Sequence, residues 1–457
     1  MQAGPTQAGP TQAGPTQAGP TQAPGRLSPA ARARVLLLTY ALAAVELTCL
    51  FMQFSTVPLS GPFQAVSPWP GPGDAPAPVF QYLSRSLGLD SVGFGYLQTT
   101  FGVLQLLGGP MFGRFADQRG ARAAFTLSFL AASTLYLLLA AACSPALPGL
   151  ALLFLSRLPG GLMHTLPAAQ MVITDLTAAE QRQAALGRLG LCFGVGMILG
   201  SLLGGTLSSS CGLHCPALVA LVASLVGILL SVTGIPASTK AAGGCTQAAP
   251  PGGPKAGVFD LKAIVRLFLL PGVLSIFLVK VVSGFPSGLF MVMFPIISMD
   301  FFQLEAAQAG YLMSFFGVLQ MLIQGLVLGR LSRHFSEGTL LRASVLVFCG
   351  VGLGMALMAN TLHLCLLAPG LVFGLCVLNV VTDSMLTKAV AATDTGTMLG
   401  LCASVQPLTR TLGPALGGLL YRNLGVAVFG HVQLAVNFLV LLFLRRLPGP
   451  QEGIKVQ

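Results

Sequence analysis

The stretch GYLQTTFGVLQLLGGPMFGRFADQRG, residues 95–120, is a long apolar run that ends abruptly in charged residues. The chain repeats it from residue 310 as GYLMSFFGVLQMLIQGLVLGRLSRHF. Nine of thirteen positions are identical between Gly95–Leu107 and Gly310–Leu322. Each run is long enough to cross a bilayer as a helix, which takes about 20 residues. The sequence therefore contains a duplicated membrane-spanning unit.

The composition fits this interpretation across the whole chain. Of 457 residues, 54% are hydrophobic and only 8% are charged, and the mean hydropathy is +0.81. Soluble domains carry about 25% charged residues, so this chain cannot cover a water-soluble surface. The composition excludes a soluble globular protein and predicts a polytopic α-helical membrane protein.

We predict an all-α membrane protein with twelve transmembrane helices in two pseudo-symmetric six-helix bundles. A second repeat supports the duplication, because LGLC occurs at Leu189–Cys192 and again at Leu399–Cys402, six helices apart. We call the helices spans 1 to 12 and place them at residues 35–57, 92–112, 121–142, 147–172, 186–207, 216–236, 272–297, 308–329, 340–358, 361–387, 398–420 and 424–444.

Polar and low-complexity segments divide the chain. QAGPT repeats open it, and such a segment has no large apolar residue with which to form a core. The domain boundaries that we predict are a disordered tail at 1–33, an N-terminal bundle at 34–237 with a Pro-rich loop at 59–81, a cytoplasmic linker at 238–270 with a short amphipathic helix at its end, a C-terminal bundle at 271–447 and a tail at 448–457.

The placement of the basic residues predicts the orientation. Of the 24 Lys and Arg residues, 19 fall on the side of both termini, two on the other side and three inside spans. Basic residues favour the cytoplasmic side of a membrane, so we predict that both termini are cytoplasmic. The net charge of +11 then faces anionic lipid, and we expect no nucleic-acid partner.

No catalytic or metal-binding pattern is present in the sequence. The chain lacks G-x-x-x-x-G-K-[ST], H-E-x-x-H and G-x-S-x-G, so we predict that it is not an enzyme and uses no cofactor. Cys211 and Cys215 share a short segment and form a disulfide if it faces an oxidising space. With His214 they provide too few ligands for zinc, and we expect no metal site.

The segment that follows the first apolar run resembles the loop motif of the major facilitator superfamily, G-x-L-a-D-r-x-G-r-k. GRFADQRGAR matches at four positions and has Phe115 where Leu is usual, whereas the corresponding segment GRLSRHFSEGTLLR has lost the Asp. The resemblance implies a transporter whose halves rock about a central site. The gating residues that it indicates are Gly113, Arg114, Asp117, Arg119, Gly120, Arg122, Gly329 and Arg330.

Other segments make the resemblance more specific. RLPGG at 157–161 resembles the R-x-x-q-G motif of proton-coupled members, and GVGMILGSLLGG resembles a Gly-rich antiporter motif without its Gly-Pro pair. Segments such as RLPGGLMHTLPAAQMVITDL resemble solute carrier family 22, although by motif the chain is nearer to the bacterial drug–proton antiporters. The loop at 59–81 has no counterpart in that pattern. The resemblance implies a plasma-membrane location, apical in epithelia, and leaves an intracellular membrane open.

Polar side chains inside the spans mark a candidate pathway for substrate and protons, because a charge in a bilayer is costly. The resemblance implies that spans 1, 4, 7 and 10 line the cavity. Spacings of four or seven residues place pairs of these side chains on one helix face. The candidates are Glu46 and Gln53 on span 1, Arg157 and His164 on span 4, Lys280 on span 7, Asn379 and Asp383 on span 10, and Gln406 and Arg410 on span 11.

Each charged candidate has two interpretations. Glu46 either couples transport to protons, since burial favours the protonated carboxyl, or forms a static ion pair with Arg157 or Lys280. Arg157 either sets the proton affinity of a nearby acid or forms a gating pair, and His164 is either a proton shuttle or a hydrogen-bonded core residue. Asp383 is expected to cap or gate, and Arg410 to pair with Asp383 or with Asp117.

The function that we predict is secondary active transport, namely proton-coupled antiport of organic cations or amphiphilic drugs by alternating access. The organic cation rests on the resemblance alone. The alternatives are a passive facilitator of another small amphiphile and a non-transporting membrane sensor or scaffold. The expected partners are the small-molecule substrate, protons and the lipid bilayer, and we expect the chain to act as a monomer.

Overall fold

A computed structural model describes residues 28–54, 87, 91–144, 146–212, 214–237, 239, 261–304 and 306–446. Every predicted span contains helix in the part that the structure describes, and the described residues contain no β-strand. The Pro-rich loop at 59–81, the linker from 240 to 260, the tail before residue 28 and the tail after residue 446 lie outside the described residues.

Most spans are single helices. In the first half these are span 1 (Pro29–Phe54), span 2 (Ser91–Arg119), span 3 (Ala121–Ala142), span 5 (Arg182–Cys211) and span 6 (His214–Gly234). In the second half they are span 7 (Val273–Asp300), span 9 (Glu337–Ala356), span 10 (Thr361–Ala389) and span 12 (Ala427–Arg446). The predicted amphipathic helix before span 7 is present at Leu261–Phe268.

Two boundaries differ from the sequence prediction. Span 1 begins at Pro29, inside the predicted tail, because Pro suits the first helical position and Ser28 Oγ accepts from the Ala31 N–H at 3.2 Å. Span 2 continues to Arg119, so most of the predicted loop motif is the last two turns of a helix. The chain turns only at Gly120, whose φ of 83° favours glycine.

Span 4 is broken into three pieces. It consists of the helix Gly149–Leu155, a 3₁₀ turn at Leu158–Leu162 and the helix Thr165–Leu176. Pro159 lacks a backbone donor and glycines follow it, so an α-helix is not sustained there. Ser128 Oγ on span 3 accepts from the His164 N–H at 2.9 Å and thereby satisfies a group that the break frees.

Spans 8 and 11 are also irregular. Span 8 runs through Ala306–Leu322, a π-helical turn at Ile323–Val327 and Leu328–His334. Span 11 follows a 3₁₀ turn and consists of Thr395–Ala403 and Val405–Leu424. Pro407 cannot donate to the carbonyl four residues earlier, which accounts for the interruption at Ser404.

Nine described helices are long and apolar enough to cross a membrane by length and composition, and spans 2, 4 and 11 are not among them. Spans 4 and 11 are divided into shorter pieces, and span 2 mixes Gln and Thr into its apolar run. These three spans are identified by their place in the duplicated order.

The duplication is visible in the packing. Span 1 packs on span 5 and span 3 on span 6 in the first half, and span 7 packs on span 11 and span 9 on span 12 in the second. Each packing pair of the second half therefore corresponds to a pair of the first half whose span numbers are lower by six. The two halves meet where span 2 packs on span 11 and where span 5 packs on span 8, so the contacts between the halves are duplicated as well. The architecture is the major facilitator fold.

Candidate substrate and proton pathway

Span 1 and the broken span 4 bring polar side chains together inside the first half. Gln53, Tyr136 and Arg157 line a cavity of about 30 Å³. Arg157 Nε donates to Ser156 Oγ at 3.2 Å, and its guanidinium lies 5.5 Å from the centroid of the Phe101 ring. A cation over an aromatic face is stabilised by the ring quadrupole, so this small cavity holds a positive charge at its wall.

Glu46 lies near this cavity. Its carboxyl is within electrostatic range of Tyr136 and Cys49. Among the described residues, its Oε2 atom and the Tyr136 hydroxyl have no hydrogen-bond partner. A buried polar oxygen without a partner costs about 1–3 kcal/mol, so the site favours a proton, water or ligand there. One of the two predicted ion-pair partners, Lys280, is bound to Asp383 instead.

His164 does not join the Arg157 cavity. The prediction that Arg157 and His164 share a helix face is wrong, because the break at Leu158–Leu162 separates them. The His164 ring packs 5.4 Å from the ring of Phe112 on span 2, and its Nε2 atom has no hydrogen-bond partner among the described residues. The spacing rule fails here since it applies only to an unbroken helix.

Spans 7 and 10 build a second polar cluster, in the other half. Lys280 Nζ donates to Asp383 Oδ1 at 2.8 Å, to Asn379 Oδ1 at 3.0 Å and to Thr382 Oγ1 at 3.3 Å. Lys280 is 4% exposed. An ammonium group has three donors, so all of them are used, which allows the charge to stay buried.

Asp383 also contacts the first half of the protein. Gln170 Nε2 on span 4 donates to Asp383 Oδ2 at 3.2 Å, so one carboxylate accepts from both halves. The predicted pairing of Arg410 with Asp383 or Asp117 is wrong, because Lys280 holds the first and backbone donors hold the second.

Gln406 and Arg410 lie on the same face of span 11, as predicted from their spacing. Both side chains are exposed. A charge facing acyl chains in mid-span is costly, so an exposed Arg410 fits an aqueous cleft between the halves better than a lipid contact. Arg410 has no ion pair among the described residues.

Asp117 joins the two halves at the end of span 2. Its Oδ1 atom accepts from the Gly396 N–H at 2.8 Å, and its Oδ2 atom accepts from the Thr397 N–H at 2.6 Å and from Thr397 Oγ1 at 2.7 Å. These donors are in the first turn of span 11, where the helix dipole favours a negative charge. We call this set of bonds the 2–11 contact, and the membrane face where it lies the motif side.

Glycines allow spans 2 and 11 to approach closely beside Asp117. A Cβ on Gly113 would lie 2.2 Å from the Gly396 carbonyl oxygen, and one on Gly400 would lie 2.2 Å from that of Gly109. Both distances are below any real Cβ contact, so the backbones touch because side chains are absent. This interface resembles the small-residue packing of membrane helices.

The remaining residues of the predicted gating motif have different surroundings. Arg114 is buried, Arg119 and Arg330 are exposed, and Arg122 Nε donates at 2.8 Å to the carbonyl of Ile235, the residue after span 6. A Cβ on Gly329 would meet open space, so the second copy of the motif lacks the tight contact of the first.

The motif side contains a further charged network that the sequence reasoning missed. Arg182 at the start of span 5 donates weakly to Thr387 on span 10, at 3.5 Å. Glu337 accepts from Ser384 at 2.5 Å and from Lys388 at 2.9 Å. The sequence predicts an orientation from the basic residues near these spans but does not predict these bonds. The Arg182–Thr387 bond joins the two halves on the motif side, whereas the bonds of Glu337 lie within the second half.

No metal site is apparent in the part of the chain that the structure describes. No three His, Cys, Asp or Glu side chains there form a group that could hold an ion. Cys211 and Cys215 are both free thiols, and the Cys215 thiol lies 3.3 Å from the Cys211 carbonyl.

Comparison with known proteins agrees with this geometry. A family model described as Major Facilitator Superfamily matches residues 73–381 and 276–457. The chain is 71% identical to human Solute carrier family 67 member A1, over 95% of this chain and 97% of that one. It is 70% identical to mouse Solute carrier family 22 member 18, over 93% and 99%, so the similarity to that solute carrier which the quoted segments indicate is confirmed.

More distant relatives share the fold. The Escherichia coli Tetracycline resistance protein, class E, is 25% identical over 72% of this chain and 78% of that one. The crystal structure of the human organic anion transporter MFSD10 (TETRAN) superposes with a TM-score of 0.71 at 19% identity, over 92% of this chain and 100% of that one. With its duplicated bundles, its motif at the end of span 2 and these matches, the chain belongs to the Major Facilitator Superfamily of multi-pass membrane transporters.

Proposed function

We propose that the protein is a secondary active transporter that exchanges organic cations or amphiphilic drugs for protons by alternating access. The observation that carries the proposal is the buried Asp383 carboxylate, which is held by Lys280 of its own half and by Gln170 of the other. Neutralising this carboxylate removes an ion pair and an inter-half bond together. Proton or substrate binding at the cluster is thereby linked to movement of the halves.

Alternating access follows from where the contacts lie. The 2–11 contact and the packing of span 5 on span 8 hold the halves together on the motif side. No comparable packing of span 1 on span 7 is found among the described residues. We infer that the cleft in which Arg410 lies opens toward the opposite face, and that transport requires the motif-side contacts to break.

Glu46 is our second candidate for proton coupling. Its Oε2 atom has no hydrogen-bond partner among the described residues, and it lies on a span that borders the Arg157 cavity. Protonation of this carboxyl breaks no ion pair among the described residues, whereas protonation of Asp383 would break its bond to Lys280. The relatives named for tetracycline resistance favour the drug class of substrate. The antiport direction of the proposal rests on the resemblance of the span 4 and span 5 segments to antiporter motifs.

The experiment is uptake of the fluorescent cation ethidium into proteoliposomes with and without an imposed proton gradient. We expect a gradient of the correct sign to accelerate uptake, and Glu46→Gln and Asp383→Asn to abolish that response. Glu180→Gln, which removes an exposed acid outside the spans, is the matched control. Uptake that ignores the gradient would make the protein a passive facilitator, and absence of transport in an intact bilayer would favour the sensor or scaffold.

Arg410 supports a second candidate, transport of organic anions. It is an exposed mid-span cation without an ion pair among the described residues, whereas the charge of Lys280 is neutralised by Asp383. The structural neighbour described as an organic anion transporter is in keeping with this candidate. A fluorescein-type anion in the same vesicles distinguishes the two, since uptake of the anion and not of ethidium would overturn the cation proposal.

Orientation and location also remain proposals. We propose that the motif side is cytoplasmic, as the distribution of basic residues indicates. Protease accessibility of a C-terminal tag in intact cells tests this orientation. We propose the plasma membrane as the location, and surface biotinylation distinguishes it from an intracellular membrane.

A further inference from the structure

A groove of about 380 Å³ lies on the motif side, outside the pathway described above. Residues of spans 2 and 3, together with Ala237 just after span 6, form it, and it opens to the outer surface of the first half. We call it the span 3 groove. Its lining residues are Arg119, Arg122, Ala123, Thr126, Leu127, Leu130 and Ala237.

The groove changes from basic to apolar along its length. Arg122, Thr126 and Leu130 follow one another at intervals of four residues, so they lie on one face of span 3. At a rise of about 1.5 Å per residue, Leu130 lies about 12 Å deeper than Arg122. Arg119 ends span 2 and Arg122 lies in the first turn of span 3, so the basic end is at the membrane boundary and the apolar end within the bilayer.

The two arginines are arranged to bind an anion. Arg122 Nε donates to the Ile235 carbonyl at 2.8 Å, which fixes the guanidinium at the mouth of the groove and leaves its outer N–H groups available. Arg119 is exposed. Neither arginine has an ion pair with a carboxylate of the described residues. Guanidinium groups match the geometry of phosphate oxygens and form strong charge-assisted hydrogen bonds with them.

We propose that the span 3 groove binds one anionic phospholipid, with its phosphate between Arg119 and Arg122 and an acyl chain along Thr126 and Leu130. A basic mouth at the interface with an apolar channel below it complements a lipid in both charge and depth. Leu130 is 54% exposed, so it offers apolar surface to the chain. The linker at 240–260 is a poorer occupant, because its two lysines and one aspartate make it net positive.

The test measures which lipids stay bound to the purified protein. Native mass spectrometry counts retained phosphatidylglycerol and phosphatidylcholine, and photoactivatable phosphatidylglycerol identifies the contacted peptide. We expect preferential retention of phosphatidylglycerol and cross-links within 119–130. Arg119→Gln and Arg122→Gln each lower its affinity about fivefold, since a basic residue at the surface contributes about 1 kcal/mol. Leu130→Trp places a larger side chain in the span 3 groove, so we expect it to prevent retention of phosphatidylglycerol while the charge of the protein stays the same.

The control is Leu137→Trp, two turns further along span 3, because Leu137 is also 54% exposed. We expect this variant to retain phosphatidylglycerol like the unmodified protein. Equal retention of both lipids, equal loss in Leu137→Trp, saturation by inorganic phosphate alone, or cross-links only from the linker would each overturn the proposal. If the arginine variants do not fold, the retention of phosphatidylglycerol by Leu130→Trp and by Leu137→Trp still tests the proposal. Equal retention by these two variants would overturn it.

Discussion

Replacing Asp117 with asparagine changes the 2–11 contact while nearly preserving its shape. The carboxylate accepts three hydrogen bonds from Gly396 and Thr397, at 2.6 to 2.8 Å. Asparagine offers one carbonyl oxygen, and its amide nitrogen would face a backbone N–H that also donates. The variant therefore loses at least one bond and the charge that strengthens the others.

The magnitude follows from these contacts. Hydrogen bonds to a charged group are worth about 1.5–3 kcal/mol each, and a negative charge at a helix N-terminus about 0.3–1 kcal/mol more. Asparagine keeps some of these hydrogen bonds. We therefore expect the state that is closed on the motif side to be destabilised by about 2–4 kcal/mol relative to the open state. At about 1.4 kcal/mol for each factor of ten, the ratio of closed to open states falls roughly 30- to 700-fold.

Three measurements check the expectation for Asp117→Asn. Turnover in proteoliposomes should fall, substrate binding by calorimetry should change little, and spin-label distances across spans 2 and 11 on the motif side should lengthen. Asp300→Asn is the matched control, because Asp300 accepts from Tyr421 at 2.5 Å within one half only. Normal turnover and unchanged distances in Asp117→Asn would show that the 2–11 contact does not govern closure.

Three further predictions concern the same halves. Gly113→Ala should force spans 2 and 11 apart, since a Cβ would lie 2.2 Å from the Gly396 oxygen, and the same spin-label distances should lengthen; unchanged distances would argue against it. Asp383→Asn should lower thermal stability by roughly 3–5 kcal/mol because it leaves Lys280 buried and unpaired, and adding Lys280→Met should restore most of it; a melting series in which the double variant is no more stable refutes the pairing. Gln170→Leu should leave stability nearly intact but slow turnover, and equal transport rates would remove Gln170 from the inter-half link.

The fold was predictable because two strong signals agree. Apolar runs of membrane length locate helices regardless of their detailed geometry, and the repeated GYL and FGVLQ segments set the order of the two halves. The duplicated order also places spans 2, 4 and 11, which do not meet the combined criteria of helix length and hydropathy for a membrane helix. The position of a segment within the duplication thus identifies a membrane span that its own hydropathy does not identify.

The site was less predictable because periodicity orders residues within one helix and not between helices. It grouped Gln406 with Arg410 and Asn379 with Asp383, but it could not show that Lys280 and not Arg410 would face Asp383. Pairing across spans depends on how the helices rotate against one another, which no single span encodes.

Two further features of the site were not predicted from the sequence, each for a local reason. Pro159 and Gly160 break span 4 and separate Arg157 from His164. Because proline and glycine both disfavour a helix interior, this break could have been predicted from the sequence. Gln170 lies neither four nor seven residues from Arg157 or His164, so helix spacing did not single out the amide that links the two halves.

The two carboxylates that join the halves differ in a way that bears on mechanism. Two of the three donors to Asp117 are backbone N–H groups at a helix N-terminus, which stabilise its charge and which no side-chain movement can withdraw. Asp383 depends on two side chains, Lys280 and Gln170, that lie on different spans and can move apart. If protonation or substrate binding is to change the contact between the halves, Asp383 is the carboxylate whose partners can respond, and Asp117 serves as the fixed contact that must break afterwards. Neutralising Asp383 should then loosen the motif side even while the bonds of Asp117 remain available.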